Sequence, residues 1–206
     1  MTPLLLVRHG ESHWNAEHRY QGQQDSGLTA RGRSQAEQVG RLLAEEAGAP
    51  GAIWSSDLPR AHDTAVPYAA RTQLPIRTDP RLREVDVGVW SGQPITAVAR
   101  AHPEEVARFA AGEDVRRGGG ETFAEVRIRI AACLAEIVAE HPDETVVIFS
   151  HGGAIRVAAA LAAGVPAPGH HGFAAPTNCS RTVLATRHQT LVLQAYNLPL
   201  PVPGAP

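Results

Sequence analysis

The chain has 206 residues, 43% of them hydrophobic, enough for one domain with a core of ordinary size. Its 19 basic residues against 21 acidic ones leave a net charge of -2, so the broad basic field that draws proteins onto nucleic acid is missing. Every basic residue is an arginine, which excludes P-loop and Schiff-base lysine chemistry, and Cys133 and Cys179 are too few for a disulfide framework or a four-cysteine zinc site, as expected of a cytoplasmic protein.

In chain order, Leu4 to Val7 followed by Gly10 predicts a strand covered on both faces, with Arg8 and His9 at its end. The run is too short, and lacks the basic lead, to be a signal peptide. Thr29 opens a helix that turns Ala36, Val39, Gly40, Leu43 and Ala47 to one side and stops at Gly48. "AIWS" is a short strand, and Pro59 fits the first turn of a helix that carries Arg60 near its N-terminus. "LPIRTDPRLREVDVGVWSG" reads as a strand and an irregular loop, and the next segment as two short helices broken at Pro103. "EDVRRGGGE" is the expected flexible connection. Thr122 and Glu125 form a capping box for a long helix through Ile137 and Val138. "TVVIFSHGG" is a second buried strand ending in a histidine, its following helix closes at Gly164, and "RTVLAT" and "TLVLQAY" form a terminal hairpin. The alanine-rich "AIRVAAALAAGV" is too short to span a bilayer.

Strand and helix in alternation predict an α/β fold, a three-layer α/β/α sandwich with a mostly parallel central sheet and a small cap over the site. The expected boundaries are one domain over 1–198, with a cap insertion at about 86–120, and a flexible tail over 199–206. In such a sheet the site lies beyond the carboxyl ends of the strands, where Arg8, His9 and His151 fall. Two strands ending in His-Gly, a helix start behind each glycine and two arginine forks describe a phosphate-sized pocket.

The segments "LVRHGESHWN", "QGQQDSGLTARGRSQA", "SSDLPRAHDTA", "RLREVDVGVWSG", "GGGET" and "SHGG", in that order, resemble the histidine phosphatase superfamily of phosphoglycerate mutase-like proteins. The resemblance implies a metal-independent, acid-type phosphatase that hydrolyses a small-molecule phosphate monoester through a phosphohistidine on His9. It implies that Arg8, Arg60 and His151 hold the phosphoryl oxygens, that Glu84 is the general acid, and that Asn15 is a secondary phosphate contact. Gln21, Gly22 and Gly152 fall in the same motifs and are expected at the substrate. Arg116 and Arg117 stand between a solvated charge pair and a site for a second anionic group. These residue types suit the chemistry: phosphoryl transfer needs an in-line nucleophile, cations at the equatorial oxygens and a proton for the leaving oxygen. His9 attacks only when its reacting nitrogen is neutral, so its other nitrogen should donate to a fixed acceptor such as a backbone carbonyl. No cofactor or metal is expected, and no nucleic-acid or membrane partner; a homodimer is left open.

Other readings fit less well. "HGESH" lacks the helical H-E-x-x-H order of zinc enzymes, and Ser150 lacks the glycine two positions before it that a hydrolase elbow requires, so it is expected to be structural. Asp57 reads as a cap or a brace for the pocket arginines, Trp14 and Trp90 as core or pocket wall, and His170-His171 as solvated loop. Phosphoglycerate mutase-type transfer is the alternative within the family, set behind hydrolysis because the segment from Asp86 to Gly120 is compact. A silent phosphate-binding module is a third reading, disfavoured because all five core residues are present.

Overall fold

The strand that ends in Arg8 lies inside a six-stranded sheet, flanked on both sides by other strands. The structure, a computed structural model, describes residues 2–46, 50–187 and 190–199. Its elements are β1 (Pro3–Arg8), α1 (His13–Ala16), α2 (Ala30–Glu46), β2 (Ala52–Ser55), α3 (Pro59–Thr72), β3 (Ile76–Thr78), α4 (Ile95–Ala101), α5 (Pro103–Ala110), α6 (Phe123–Glu140), β4 (Val146–Ser150), α7 (Gly152–Ala162), β5 (Arg181–Arg187) and β6 (Thr190–Leu198). The sheet order is β3-β2-β4-β1-β5-β6. The first four of these run parallel, and the closing hairpin adds two antiparallel strands.

Side chains alternate across the pleat, so each central strand serves two layers. Leu4 and Leu6 of β1, Trp54 of β2 and Val146 and Ile148 of β4 pack with Val126, Ile130, Leu134 and Ile137 of α6 and Ile155 and Ala158 of α7. Val7, Ile53, Val147 and Phe149 point the other way, onto Val39 and Leu43 of α2 and Ala65 and Tyr68 of α3. This is the expected α/β/α sandwich, and it explains why β1 and β4 read as unbroken apolar runs. No helix among the described residues is long and apolar enough to cross a membrane.

The capping box at α6 forms as expected, with Thr122 and Glu125 each accepting from the other's backbone N–H. The expected flexible connection does not form as such. The backbone around Gly118 and Gly120 is pressed against residues 86–88: a Cβ on Gly88 would sit 2.0 Å from the Gly118 carbonyl oxygen, and one on Gly120 2.2 Å from that of Asp86. Glu121 N–H donates to the Asp86 carbonyl at 2.9 Å, Gly118 N–H to Glu105 at 2.9 Å, and Asp114 caps the start of α6. Here the glycines permit close approach of two backbones, and the segment is ordered by it. Ala47, Gly48 and the expected tail from residue 200 onward lie outside the described residues.

The same device fixes the loop after β1. Thr29 Oγ1 accepts from Gly32 N–H at 2.9 Å, capping α2, while Thr29 N–H donates to the Glu11 carbonyl at 2.9 Å. A Cβ on Gly32 would lie 2.0 Å from that carbonyl oxygen, and one on Gly10 2.5 Å from the carbonyl oxygen of Gly32. Gly32→Ala should therefore force backbone apart and destabilise the protein by about 1–3 kcal/mol, read as a lower urea midpoint; an unchanged midpoint would show that the loop is not held by this contact.

Candidate active site

Pairing of Arg8 with Ser150 in the β1–β4 register brings the residues that follow them, His9 and His151, side by side. His9 N–H donates to the Ser150 carbonyl at 3.0 Å, and the two imidazole centres are 5.2 Å apart. His9 Nδ1 lies 2.7 Å from the Gly10 carbonyl oxygen, which can only accept, so Nδ1 carries the proton. The other nitrogen, Nε2, is therefore unprotonated and accepts from Arg60 Nε at 3.3 Å. Burial, then Arg60, then Arg8 push the His9 pKa well below 6.5, against the smaller upward pull of the Gly10 bond. The ring is thus neutral, in one tautomer, with a basic nitrogen facing cations.

Arg60 is fully buried in the first turn of α3. Its Nη1 donates to the Gln24 carbonyl at 2.7 Å and Asp25 at 2.9 Å, and its Nη2 to the Gly22 carbonyl at 2.8 Å. The segment from Gly22 to Asp25 therefore wraps the guanidinium and aims its Nε at His9. Arg8 donates Nη1 to the Pro176 carbonyl at 2.5 Å, while its buried Nε has no partner. His151 is fully buried and neither ring nitrogen has a partner. Burial, then the charge of Arg60, lowers its pKa well below 6.5. Arg8 Nε and the His151 ring are buried polar groups of the kind that an anion's oxygens would satisfy.

Glu84 reaches the same place from the loop after β3. Its Oε2 accepts from Gly153 N–H at 3.0 Å and its Oε1 from Val85 N–H at 2.8 Å, so it sits on the first turn of α7. A Cβ on Gly153 would fall 2.3 Å from Oε1, whereas one on Gly152 would meet Arg8 Nε and Glu84 Oε2 only at 3.6 and 3.7 Å. The loop is gripped from behind by Arg129 of α6, which donates to the carbonyls of Arg81 and Arg83 at 2.7 Å each and of Glu84 at 2.9 Å, and pairs with Glu121. Nothing in the sequence singled out Arg129; its position in an amphipathic helix gave no sign of the carbonyls it would meet.

Other expected residues divide. Asn15 Oδ1 accepts from Asn178 Nδ2 at 3.2 Å, and Asn178 also donates to the His9 carbonyl at 2.9 Å, so Asn15 stands beside His9 through a residue that sequence reasoning missed. Gln21 accepts from Ser12 Oγ at 2.7 Å. Ser150 is structural as expected, donating to the Leu82 carbonyl at 2.7 Å. Trp90 is buried in the core as expected, while Trp14 is only half-buried. Asp57 does not brace the pocket arginines: it pairs with Arg83, and Asp25 holds Arg60. Arg116 lies on the surface, paired with Glu125 at 2.6 Å, but Arg117 is buried. His170 is not solvated loop; it is fully buried and stacked on Phe123. No cluster of metal-ligating side chains occurs among the described residues.

Residues 4–199 match the family described as the histidine phosphatase superfamily (branch 1), and the chain belongs to it. Glucosyl-3-phosphoglycerate phosphatase of Mycobacterium tuberculosis is 36% identical over 192 residues, covering 88% of this chain and 84% of the relative. Phosphoserine phosphatase 1 of Hydrogenobacter thermophilus is 38% identical over 154 residues, 73% and 71% of the two chains. The solved structure of a mycobacterial glucosyl-3-phosphoglycerate phosphatase with VO3 superposes with a TM-score of 0.87 at 34% identity, covering 96% of this chain and 99% of that one.

Buried neutral histidines make stability depend on pH. His9 and His151 are held well below 6.5, and His170, by burial and then His171, at about 3. The unfolded chain takes up these protons at about pH 6.5, so stability is full above that pH and falls as the pH drops through it. The urea midpoint should decrease from pH 7.5 to 5.5, and by less in His170→Phe; a midpoint that rises on acidification would contradict the neutral assignment.

Proposed function

We propose that this chain hydrolyses a small-molecule phosphate monoester in two steps, with His9 Nε2 as the nucleophile. The observation that carries the reading is the His9 ring itself, with Nδ1 tied to the Gly10 carbonyl and Nε2 turned to Arg60 beside Arg8 and His151. In the first step Nε2 forms the N–P bond as the P–O ester bond breaks, and the leaving oxygen takes its proton from the Glu84 carboxyl group. In the second, water attacks the phosphohistidine and gives a proton to the Glu84 carboxylate, the N–P bond breaks, and its electron pair returns to Nε2. Arg8, Arg60 and His151 hydrogen-bond the equatorial oxygens throughout, with the first N–H groups of α7 adding their dipole. Asn15, Gln21, Gly22 and Gly152 shape the rim of the phosphate site in this reading.

Phosphoserine and glucosyl-3-phosphoglycerate, the compounds that name the two relatives, are small monoesters of this kind. We take residues 1–198 as one catalytic unit, because β1 and β6 belong to one sheet, and residues 86–120 as its cap. Both cysteines are free and buried, which suits a cytoplasmic location.

Two measurements test this reading. Turnover should survive dialysis against a chelator, since guanidinium groups supply the charge that a metal provides elsewhere; activity lost on chelation and restored by magnesium or zinc would contradict it. In the pre-steady-state burst, Glu84→Gln should lose about 10²–10⁴-fold with an alkyl phosphate and much less with p-nitrophenyl phosphate, whose leaving group needs no proton. Gly153→Ala, which displaces the Glu84 carboxylate, should show the same contrast. Equal losses for both substrates would move the general-acid role elsewhere, and isomer formation in place of phosphate release would make the chain a mutase.

A further inference from the structure

Glu84 sits in irregular backbone between Arg83 and Val87, where neither helix nor strand fixes it. Side chains from elsewhere take the carbonyls around it instead. Arg129 directs all five of its N–H groups to this loop and its neighbour Glu121. Nη1 donates to the carbonyls of Arg81 and Arg83 at 2.7 Å each. Nη2 donates to the Glu84 carbonyl and to Glu121 Oε2, and Nε to Glu121 Oε1, all at 2.9 Å. The Leu82 carbonyl, lying between, accepts from Ser150 Oγ at 2.7 Å. Successive carbonyls over residues 81–84 are thus held, three by one guanidinium and one by the residue before His151.

Glu121 carries the brace further. Its Oε2 also accepts from Asp86 N–H at 2.9 Å and from Gln23 Nε2 at 3.4 Å. Gln23 Nε2 reaches the Glu84 carbonyl at 3.3 Å, and its Oε1 accepts from Arg83 Nη1 at 3.4 Å. Gln23 belongs to the Gly22 to Asp25 segment that wraps Arg60. The pair therefore joins the backbone of Glu84 to the segment that fixes Arg60. Its side chains are only 16% and 23% exposed, a setting that strengthens hydrogen bonds to charged groups. Proton transfer needs the carboxyl group within hydrogen-bond reach of the leaving oxygen, so its distance from the phosphoryl group matters as much as its presence.

We propose that Arg129 and Glu121 are positioning residues for the proton that Glu84 gives to the leaving oxygen, setting its carboxyl group against the phosphoryl group held by Arg60. This role rests on the phosphatase reading above. A brace that only supports the fold would slow the reaction of every leaving group alike. A role through charge alone would survive in lysine: burial and Arg60 dominate the low pKa of His151, and the Arg129 charge adds to it. Positioning needs the planar fork, because the three donors of a lysine cannot meet three carbonyls and two carboxylate oxygens.

The test is the rate of phosphoenzyme formation in rapid quench, with an alkyl phosphate, glycerol 3-phosphate or phosphoserine, and with p-nitrophenyl phosphate. Misplacing a reacting group by about 1 Å costs about 100-fold, so Arg129→Lys and Arg129→Gln should each lose that factor with the alkyl phosphate and far less with p-nitrophenyl phosphate. Glu121→Gln, which keeps the side-chain size, should lose in the same direction and carries the test if the Arg129 variants do not fold. Adding Glu121→Gln to Glu84→Gln should cost nothing further with the alkyl phosphate, since the proton being positioned is already gone. Equal losses for both leaving groups, wild-type rates in Arg129→Lys, or additive losses in the double variant would overturn the role. If no substrate phosphorylates the protein, or Glu84→Gln itself shows no contrast, the phosphatase reading fails instead. A crystal structure of Glu121→Gln then decides whether the pair positions Glu84: a carboxylate still on Gly153 N–H overturns it, and a displaced one upholds it.

Discussion

The hydrogen bond from His9 Nδ1 to the Gly10 carbonyl, 2.7 Å long, decides which nitrogen of the ring can act and in which state. An imidazole free to rotate or change tautomer would present an N–H to phosphorus in one of its two neutral forms. Fixed as it is, Nε2 is always the unprotonated atom. Burial and the neighbouring guanidinium groups reinforce this by making a positive ring costly, so the cations that would suit a phosphoryl group also keep His9 neutral.

That bond depends on where the backbone runs, and the backbone depends on glycines used for contact. Gly10 and Gly32 let the β1 loop rest on α2, Gly153 admits the Glu84 carboxylate to the start of α7, and Gly88, Gly118 and Gly120 let residues 86–88 and 117–121 lie against each other. In each case a methyl group would intrude on an oxygen at well under 3 Å. Polar braces then hold what the glycines allow. Asp25 and two carbonyls clamp Arg60, and Arg129 clamps the loop that carries Glu84.

Much of this was legible in the sequence because its signals are local. Unbroken apolar runs marked β1 and β4, Pro59 marked the start of α3, and Thr122 with Glu125 marked α6, each through chemistry within a few residues. Strands ending in His-Gly pointed to one edge of a parallel sheet, and there His9 and His151 meet. The misreadings concern side chains whose partners come from distant segments. "EDVRRGGGE" reads as flexible until a second glycine-bearing backbone packs on it, and Arg117, which the sequence leaves open between a solvated charge and an anion site, is flanked by Phe109 and Phe123. His170 is hidden by the same rings, and Asp57 and Asp25 exchange arginines because the loop containing Asp25 folds back over α3.

The central claim is that phosphate resides on one nitrogen of one residue during turnover. Rapid acid-free quenching of the enzyme with labelled substrate, followed by phosphorus and nitrogen NMR of the adduct, reads that nitrogen directly. The account predicts an acid-labile, base-stable phosphohistidine at His9 Nε2 that is absent from His9→Ala. Phosphate on Nδ1, on His151, or on a residue still labelled in His9→Ala would contradict it.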